Sequence, residues 1–314
     1  MFLRFSNSLI FRPFFKTSVA VLFCSSLFVG CSSKEERITK GSEQHLYERA
    51  QGHLRSNSWD VAVSTLESLE EFYPFGAYSE QAQLELIFAY YKANEHDAAI
   101  ASAERFIRLH PQHRNVDYAY YMRGVASFYN DSVFSSFLAT DASMRDVGTA
   151  RDSFAYFDQL IRQYPESPYT LDAQKRMIYL RNTMARLDIN VANYYFKRGA
   201  YLAAANRGRH VVENMQETPA VPDGLAVMAQ AYQLLGMEDL AQNSEKVLIH
   251  NFPDHPALKD GKFNYTFGRD KKRSWVSVIT FGVFDKMPTI KFDSRKQYQA
   301  IAKKRSPALA PPTS

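Results

Sequence analysis

The chain has 314 residues and a formal net charge of +5, and 46% of its residues are hydrophobic. This length is enough for one large domain or for a solenoid of short repeats. Both cysteines, Cys24 and Cys31, lie within the first 31 residues, so the rest of the chain has no cysteine for a disulfide or a thiolate zinc site.

The charge is distributed unevenly along the chain. Residues 1–30 carry three basic and no acidic side chains, whereas residues 256–314 carry 13 basic and 4 acidic ones. The stretch between them, residues 31–255, therefore has a net charge of −7. A mildly acidic body with a basic tail argues against a nucleic-acid groove, and we expect no nucleic-acid partner.

The first predicted element is a lipoprotein signal peptide over residues 1–30. It has a basic start, an apolar run too short to remain as a membrane-spanning helix, and small residues before Cys31. This ending looks like the lipobox of bacterial lipoproteins, in which the cysteine sulfur is acylated and the cysteine becomes the new N-terminus. We expect a covalent lipid on Cys31 and no other cofactor. An ordinary signal peptide followed by an unmodified cysteine is the alternative.

Residues 31–42 are predicted to form a polar tether, because the sequence after Cys31 has no apolar periodicity. Ser32, the residue that follows the acylated position, resembles that of lipoproteins sorted to the outer membrane. We therefore expect the protein to be lipid-anchored at the periplasmic face of the outer membrane.

Residues 73–111 contain the pattern that recurs between residues 43 and 255. Two amphipathic helices lie between prolines: the first is predicted from Ser79 to Lys92, and the second follows a turn at residues 93–96 and ends before Pro111. The spacing of Tyr90, a later alanine and the closing proline is that of a tetratricopeptide (TPR) unit. One such unit cannot bury its own apolar face, so the pattern should recur.

The pattern does recur, and it predicts an all-α, TPR-type solenoid of five helical hairpins over residues 43–255. In the third unit, Gly124 lies on the first helix and Ser153 and Phe157 lie on the second, with an insertion over residues 130–148 between the helices. Five unrelated hairpins are the alternative. The approximate unit boundaries are 43–74, 80–111, 115–165, 172–216 and 222–253.

A second regularity supports this repeat interpretation. Five residues of one inter-unit segment reappear 91 positions later, which is unlikely for unrelated hairpins. The matched residues are Tyr73, Pro74, Tyr78, Ala82 and Gln83, followed by Tyr164, Pro165, Tyr169, Ala173 and Gln174.

Residues 256–314 are predicted to be a basic and less regular C-terminal extension. Three interpretations are open: the extension packs on the last unit as a cap, binds anionic lipid through Lys271, Lys272 and Arg273, or binds another protein. The proline-rich last nine residues are predicted to be disordered.

Several stretches, loops included, resemble the BamD family of outer-membrane assembly lipoproteins, also called ComL. They are YPFGAYSEQAQLELIFAYYK, FIRLHPQHRNVDYAYYMRG, DAQKRM and NYYFKRGAY. The resemblance covers roughly residues 42 to 255. It implies a curved solenoid of five TPR units with a periplasmic role: docking onto the β-barrel insertase BamA, contacting other assembly-complex lipoproteins, and helping to deliver unfolded outer-membrane proteins.

Aromatic residues in the first three units suggest a groove for an extended peptide. Phe75 lies in a turn between units, where it either contacts a partner or packs between units, and Tyr118 and Tyr121 cannot both face the core together with Tyr120. By resemblance, this part of the solenoid receives the C-terminal signal of barrel substrates. The predicted groove residues are Phe75, Tyr78, Tyr90, Tyr118, Tyr121 and Arg123.

The fourth unit is, by the same resemblance, the end that meets a periplasmic POTRA domain of BamA. Arg198 and Arg207 are the predicted partner-binding residues. Arg207 is expected to form an interfacial ion pair, because its planar guanidinium can hold a carboxylate through two hydrogen bonds.

The sequence contains no recognisable nucleophile–base set, phosphate loop or metal-ligand spacing, so we expect a scaffold and not an enzyme. His110 and His113 flank a proline-containing turn between repeats, and we do not expect them to bind metal. The alternative function is that of a peptidoglycan- or division-associated TPR lipoprotein.

Overall fold

The computed structural model describes residues 42–130, 147–265 and 290–296. Cys31 and the tether, most of the insertion in the third unit, the basic cluster at residues 271–273 and the proline-rich end lie outside the described residues. The predictions for these segments stay predictions.

The all-α TPR prediction is confirmed, because the described part of the chain consists mainly of helices that pair in sequence order. Helix α3 has the predicted bounds, and the second helix of that unit begins at His96, so the turn is one residue shorter than expected. The five pairs are α1 (Glu43–Arg55) and α2 (Trp59–Phe72), α3 (Ser79–Lys92) and α4 (His96–Leu109), α5 (Val116–Asn130) and α6 (Val147–Gln163), α7 (Thr170–Lys197) and α8 (Tyr201–Asn214), and α9 (Val221–Leu234) and α10 (Glu238–Asn251).

Small residues let the two helices of each pair approach closely. In α4, Ala99 and Ala103 are fully buried on the same face as Phe106. In the third unit, a Cβ placed on Gly124 would lie 2.6 Å from the ring of Phe157, and the Ser153 hydroxyl donates to the Gly124 carbonyl at 3.0 Å. The two α6 residues that mark this unit in the sequence therefore both contact Gly124.

The turn inside each hairpin uses the same backbone conformation in four of the five units. Two residues after the first helix ends, Asn57, Asn94, Gly199 and Gly236 take positive φ angles of 56°, 63°, 71° and 72°. Asparagine and glycine tolerate this left-handed conformation better than other residues do. The chain thus reverses direction within three residues.

Two hydrophobic cores share one long helix. The first core lies in units two and three and includes Phe106, Phe157 and the start of α7 up to Leu180. The second lies in units four and five and begins on α7 at Ala185. The 28-residue helix α7 therefore connects the two halves of the solenoid.

Parts of the C-terminal extension pack on the second core. A two-stranded antiparallel hairpin, β1 (Leu258–Lys259) and β2 (Lys262–Phe263), follows α10. Ile290 and Phe292 are buried in the same core. Of the three interpretations of the extension, packing on the solenoid describes these residues.

Candidate peptide-binding groove

A groove lies between the first helices of units two and three. Helices α3 and α5 contact each other directly. Pro168 and Tyr169, just before α7, line one side. The groove has a volume of about 600 Å³. It is lined by Gln81, Leu84, Glu85, Phe88, Arg114, Asn115, Asp117, Tyr118, Pro168 and Tyr169.

One face of α3 supplies four of these residues. Gln81, Leu84, Glu85 and Phe88 recur at intervals of three and four, which places them on the same side of a helix. The Glu85 carboxylate accepts hydrogen bonds from the Tyr47 hydroxyl at 3.0 Å and from the Gln81 amide at 2.8 Å. A negatively charged acceptor is therefore held beside the apolar side chains of the groove.

Tyr78 and Tyr169, which are related by the 91-residue offset, each stack on another tyrosine. The Tyr78 ring stacks on Tyr47 with centroids 4.6 Å apart, and the Tyr169 ring stacks on Tyr121 with centroids 4.7 Å apart. Both stacks adjoin the groove: Tyr47 binds the groove residue Glu85, and Tyr169 lines the groove itself.

Hydrogen bonds fix the second stack in position. The Tyr121 hydroxyl donates to Asp172 Oδ2 at 2.8 Å, and Arg176 Nε donates to the same oxygen at 2.6 Å. The Arg176 guanidinium also lies 5.1 Å from the ring centre of Phe128, which is a cation–π distance. The aromatic surface therefore continues along α5 and α7 in a defined geometry.

Ionisation in this region is shifted in favour of neutral tyrosines. Burial and the neighbouring Glu85 carboxylate raise the pKa of Tyr47 to about 12. Burial and the hydrogen bond to Asp172 raise the pKa of Tyr121 to about 12. Burial also raises the pKa of Tyr118. These tyrosines therefore stay protonated to a higher pH than an unperturbed tyrosine, whose pKa is about 10.

Asp172 and Asp117 add two carboxylates that accept hydrogen bonds. Burial alone would raise the pKa of Asp172, but hydrogen bonds from Arg176 and Tyr121 lower it. Asp117 accepts from the Ser167 hydroxyl at 2.7 Å and from the backbone N–H of Tyr118 at 2.9 Å. Aromatic faces beside carboxylates suit an extended peptide, whose apolar side chains and backbone N–H groups both need partners.

Four of the six predicted groove residues lie in or beside this region or are available to a partner. Tyr118 lines the groove, and Tyr78 and Tyr121 form the adjoining stacks. Phe75 does not pack between units: it is 98% exposed in the segment between α2 and α3. This exposure leaves the ring available for contact with a partner.

Tyr90 and Arg123, the other two predicted groove residues, do not line this groove, and their side chains contact second helices. The Tyr90 hydroxyl donates to Glu67 on α2. Arg123 is buried, donates to Gln159 on α6 at 2.6 Å and lies 4.2 Å from the ring centre of Tyr156. Tyr90 therefore contacts the second helix of the preceding unit, whereas Arg123 contacts the second helix of its own unit.

Sequence reasoning missed most of the groove lining. The face of α3 that carries Glu85 and Phe88 was detectable from their spacing, although spacing alone does not say which neighbour a face meets. Tyr169 was identifiable through the 91-residue repeat, which pairs it with Tyr78. Arg114 and Pro168 lie in inter-unit loops, where no sequence pattern indicated that they line a groove.

The two arginines predicted to bind a partner differ in their surroundings. Arg207 Nη1 donates to Asp188 Oδ1 at 2.8 Å, and His210 Nδ1 lies 2.9 Å from the other oxygen of this buried carboxylate. Arg207 therefore has an ion-pair partner within the chain, and the expected ion pair with another protein stays a prediction. Arg198 is exposed, and its Nε donates to the Tyr194 hydroxyl at 3.0 Å.

His110 and His113 lie near one carboxylate. His110 Nδ1 is 3.3 Å from Glu80 Oε1, and His113 Nε2 is 3.6 Å from Glu80 Oε2. Among the described residues no group of three or more histidine, cysteine, aspartate or glutamate side chains is arranged to hold a metal ion. In the same part of the chain, no helix combines the length and apolar character needed to cross a membrane.

Comparison with known proteins shows similarity to one family of outer-membrane lipoproteins. The family model described as YfiO: Outer membrane lipoprotein matches residues 39–248. Proteins named outer membrane protein assembly factor BamD are similar over most of their length. The one from Neisseria meningitidis serogroup A is 42% identical, covering 73% of this chain and 86% of the relative. The one from Vibrio cholerae is 39% identical, covering 73% of this chain and 96% of the relative. The one from Xylella fastidiosa Temecula1 is 36% identical, covering 80% of this chain and 88% of the relative.

Proposed function

Because the chain belongs to the family of outer-membrane lipoproteins that includes the BamD assembly factors, we propose that it is an assembly factor for outer-membrane proteins. It acts as a scaffold without enzymatic activity. It is held at the periplasmic face of the outer membrane by a lipid on Cys31, and stable anchoring needs more than one acyl chain.

The groove between α3 and α5 carries this proposal. Strands of outer-membrane barrels alternate apolar and polar residues, with aromatic residues near the membrane interfaces. An unfolded strand of this kind offers aromatic side chains on one face and unpaired backbone N–H groups along its length. The groove has matching partners: the rings of Phe88, Tyr118 and Tyr169, and the carboxylates of Glu85 and Asp117.

The docking partner in this proposal is a POTRA domain of BamA, bound at unit four. Arg198 is an exposed cation immediately after α7 and supplies the direct contact. Arg207 contributes indirectly, because it holds Asp188 and thereby orients α8 against α7. Other lipoproteins of the assembly complex contact the remaining solenoid surface.

Site-specific photocrosslinking tests the substrate groove. A photoreactive residue is placed at Gln81, which is exposed and lines the groove, or at its exposed neighbour Glu80, which lies outside the groove lining and near His110 and His113. Gln81 should crosslink to an unfolded outer-membrane protein, and Glu80 should not. Equal crosslinking from both positions would contradict the assignment of the groove.

Depletion of the protein in cells tests the broader function. Simultaneous loss of many outer-membrane barrel proteins is the expected result. Chained cells with normal barrel levels would instead support a role in peptidoglycan metabolism or division.

A further inference from the structure

Residues 290–294 lie against the first helices of units four and five as an extended segment, which we call the strap. Ile290, Phe292 and Ser294 are buried, whereas Lys291 is exposed and Asp293 is only half-buried. This alternation with a period of two is that of an extended chain. Side chains of the two helices bind the strap backbone at Phe292 and Ser294.

Asn193 on α7 holds the backbone at the centre of the strap. Its Nδ2 donates to the carbonyl of Phe292 at 2.9 Å, and its Oδ1 accepts from the backbone N–H of Phe292 at 2.9 Å. A carboxamide that makes both bonds reproduces the pair of bonds exchanged between facing residues of antiparallel strands. This contact recognises the backbone of an extended segment and does not depend on the side chain at that position.

A pocket for an aromatic ring lies beside Asn193. The Phe292 side chain is fully buried, with its ring centre 5.9 Å from that of Phe196 on α7 and 6.4 Å from that of Phe263 on β2. Distances and tilts of this kind are favourable for aromatic pairs. The pocket therefore selects an aromatic residue at the position that Asn193 holds.

Asp223 on α9 recognises the next inward-facing residue. The carboxylate accepts from the backbone N–H of Ser294 at 3.1 Å and from its hydroxyl at 2.9 Å. Arg186 and His255, both buried, donate to the same carboxylate at 2.5 Å and 3.0 Å. Since His255 Nδ1 accepts from the backbone N–H of Ala257, its Nε2 carries the proton that faces Asp223.

We infer that the first helices of units four and five form a second binding site for an extended peptide, and that the strap is its ligand in cis. The site takes an aromatic residue followed two positions later by a residue with a hydroxyl group. The strap keeps it closed to other extended segments of the same pattern. This inference does not depend on what binds the groove of units two and three.

A titration with a synthetic peptide of the sequence TIKFDSRK, residues 289–296, tests the inference on the full-length protein. In the unaltered chain the strap competes at a high effective concentration, which for a tethered segment is of the order of millimolar. Phe292→Ala removes the ring from the cis ligand and leaves the site intact. This variant should bind the labelled peptide at least tenfold more tightly than the unaltered chain does, and the peptide should raise its melting temperature.

Two controls identify the contacts. A peptide with alanine in place of its phenylalanine should not bind, because it lacks the ring that fills the pocket. Adding Asn193→Ala to Phe292→Ala should weaken binding of the original peptide at least tenfold. Binding that survives both changes would overturn the proposed site.

The remaining outcomes are also decisive. A folded Phe292→Ala protein that binds no peptide would show that the strap is an integral part of the second core and not a ligand. If Phe292→Ala loses helix content, Ser294→Ala is titrated in its place, since it removes a single hydroxyl contact. Failure of that folded variant to bind the peptide more tightly than the unaltered chain would overturn the inference.

Discussion

The first helices of units two and three meet in an open groove, whereas those of units four and five hold a segment of the chain itself. The repeat geometry is similar in both halves, with adjacent first helices in direct contact. What differs is the chemistry: Glu85 and tyrosines line the open groove, while Asn193 and Asp223 bind a returning strap. Whether a TPR surface is available to a partner therefore depends on sequence outside the repeats.

The largest expected effect comes from removing the carboxylate at the centre of the closed site. Asp223→Ala leaves Arg186 buried with Asp293 3.8 Å away as its remaining acidic neighbour, so the free energy of unfolding should fall by about 3–5 kcal/mol. Denaturant unfolding measures the loss, and hydrogen exchange should locate it in units four and five. Asp158→Ala, which breaks an exposed pair with Arg162, should cost about 1 kcal/mol or less. Similar losses for both variants would contradict the role of the buried network.

The matching test in the other half acts on helix contact. Gly124→Ala places a methyl group against Phe157, so the free energy of unfolding should fall by about 1–3 kcal/mol through overpacking. Gly52→Ala on α1 meets nothing within 4 Å and should instead stabilise the protein by about 0.5–1 kcal/mol. Hydrogen exchange should place the Gly124 effect in units two and three. A neutral or stabilising Gly124→Ala would mean that the close approach is not needed.

The closed half should also lose stability in acid. Burial would raise the pKa of Asp223, but hydrogen bonds and charges from His255 and Arg186 hold it below the ordinary value of about 3.9. Its contribution is therefore present above the unfolded-state pKa and is lost as the pH falls towards the folded-state pKa. The stability difference between the unaltered chain and Asp223→Asn should therefore shrink as the pH falls below about 4. A constant difference over that range would contradict the lowered pKa.

The open half should respond in alkali. Because the pKa values of Tyr47 and Tyr121 are raised to about 12, their stabilising contribution is complete below the ordinary value of about 10 and is lost as the pH approaches 12. In ultraviolet titrations, Tyr47→Phe and Tyr121→Phe should each remove a tyrosinate signal near pH 12. Loss of a signal near pH 10 would show that the stacks are open to solvent.

The smallest effect on stability is expected at the proposed partner surface. Arg198→Glu changes an exposed residue and should alter the free energy of unfolding by about 0.5 kcal/mol or less, yet abolish co-purification with BamA. Arg207→Glu, by contrast, should lower the free energy of unfolding, because it puts a second carboxylate beside Asp188. Comparing the two separates a lost contact from a distorted unit four. Unchanged co-purification of Arg198→Glu would remove this residue from the interface.

Local spacing was enough to predict the bounds of α3 and to place Gly124 on the first helix of unit three and Ser153 and Phe157 on the second. Spacing was not enough to predict the neighbours of Tyr90 and Arg123, because a partly polar helix has several faces that satisfy the same pattern. Their side chains turned out to contact second helices, where Glu67 and Gln159 supply partners that lie 23 and 36 residues away in the sequence. Assigning a polar residue to a groove therefore requires knowledge of its neighbours.

The sequence by itself determined the repeat architecture, since helix periodicity, small contact residues and turn residues are short-range properties that act within one hairpin. Only the tertiary structure decided which first-helix surface stays open. The contact that closes units four and five joins Asn193 to Phe292, 99 residues apart. A short extended segment has too little pattern of its own to specify its binding site. Donors and acceptors on two adjacent helices, both far from the segment in sequence, select it instead.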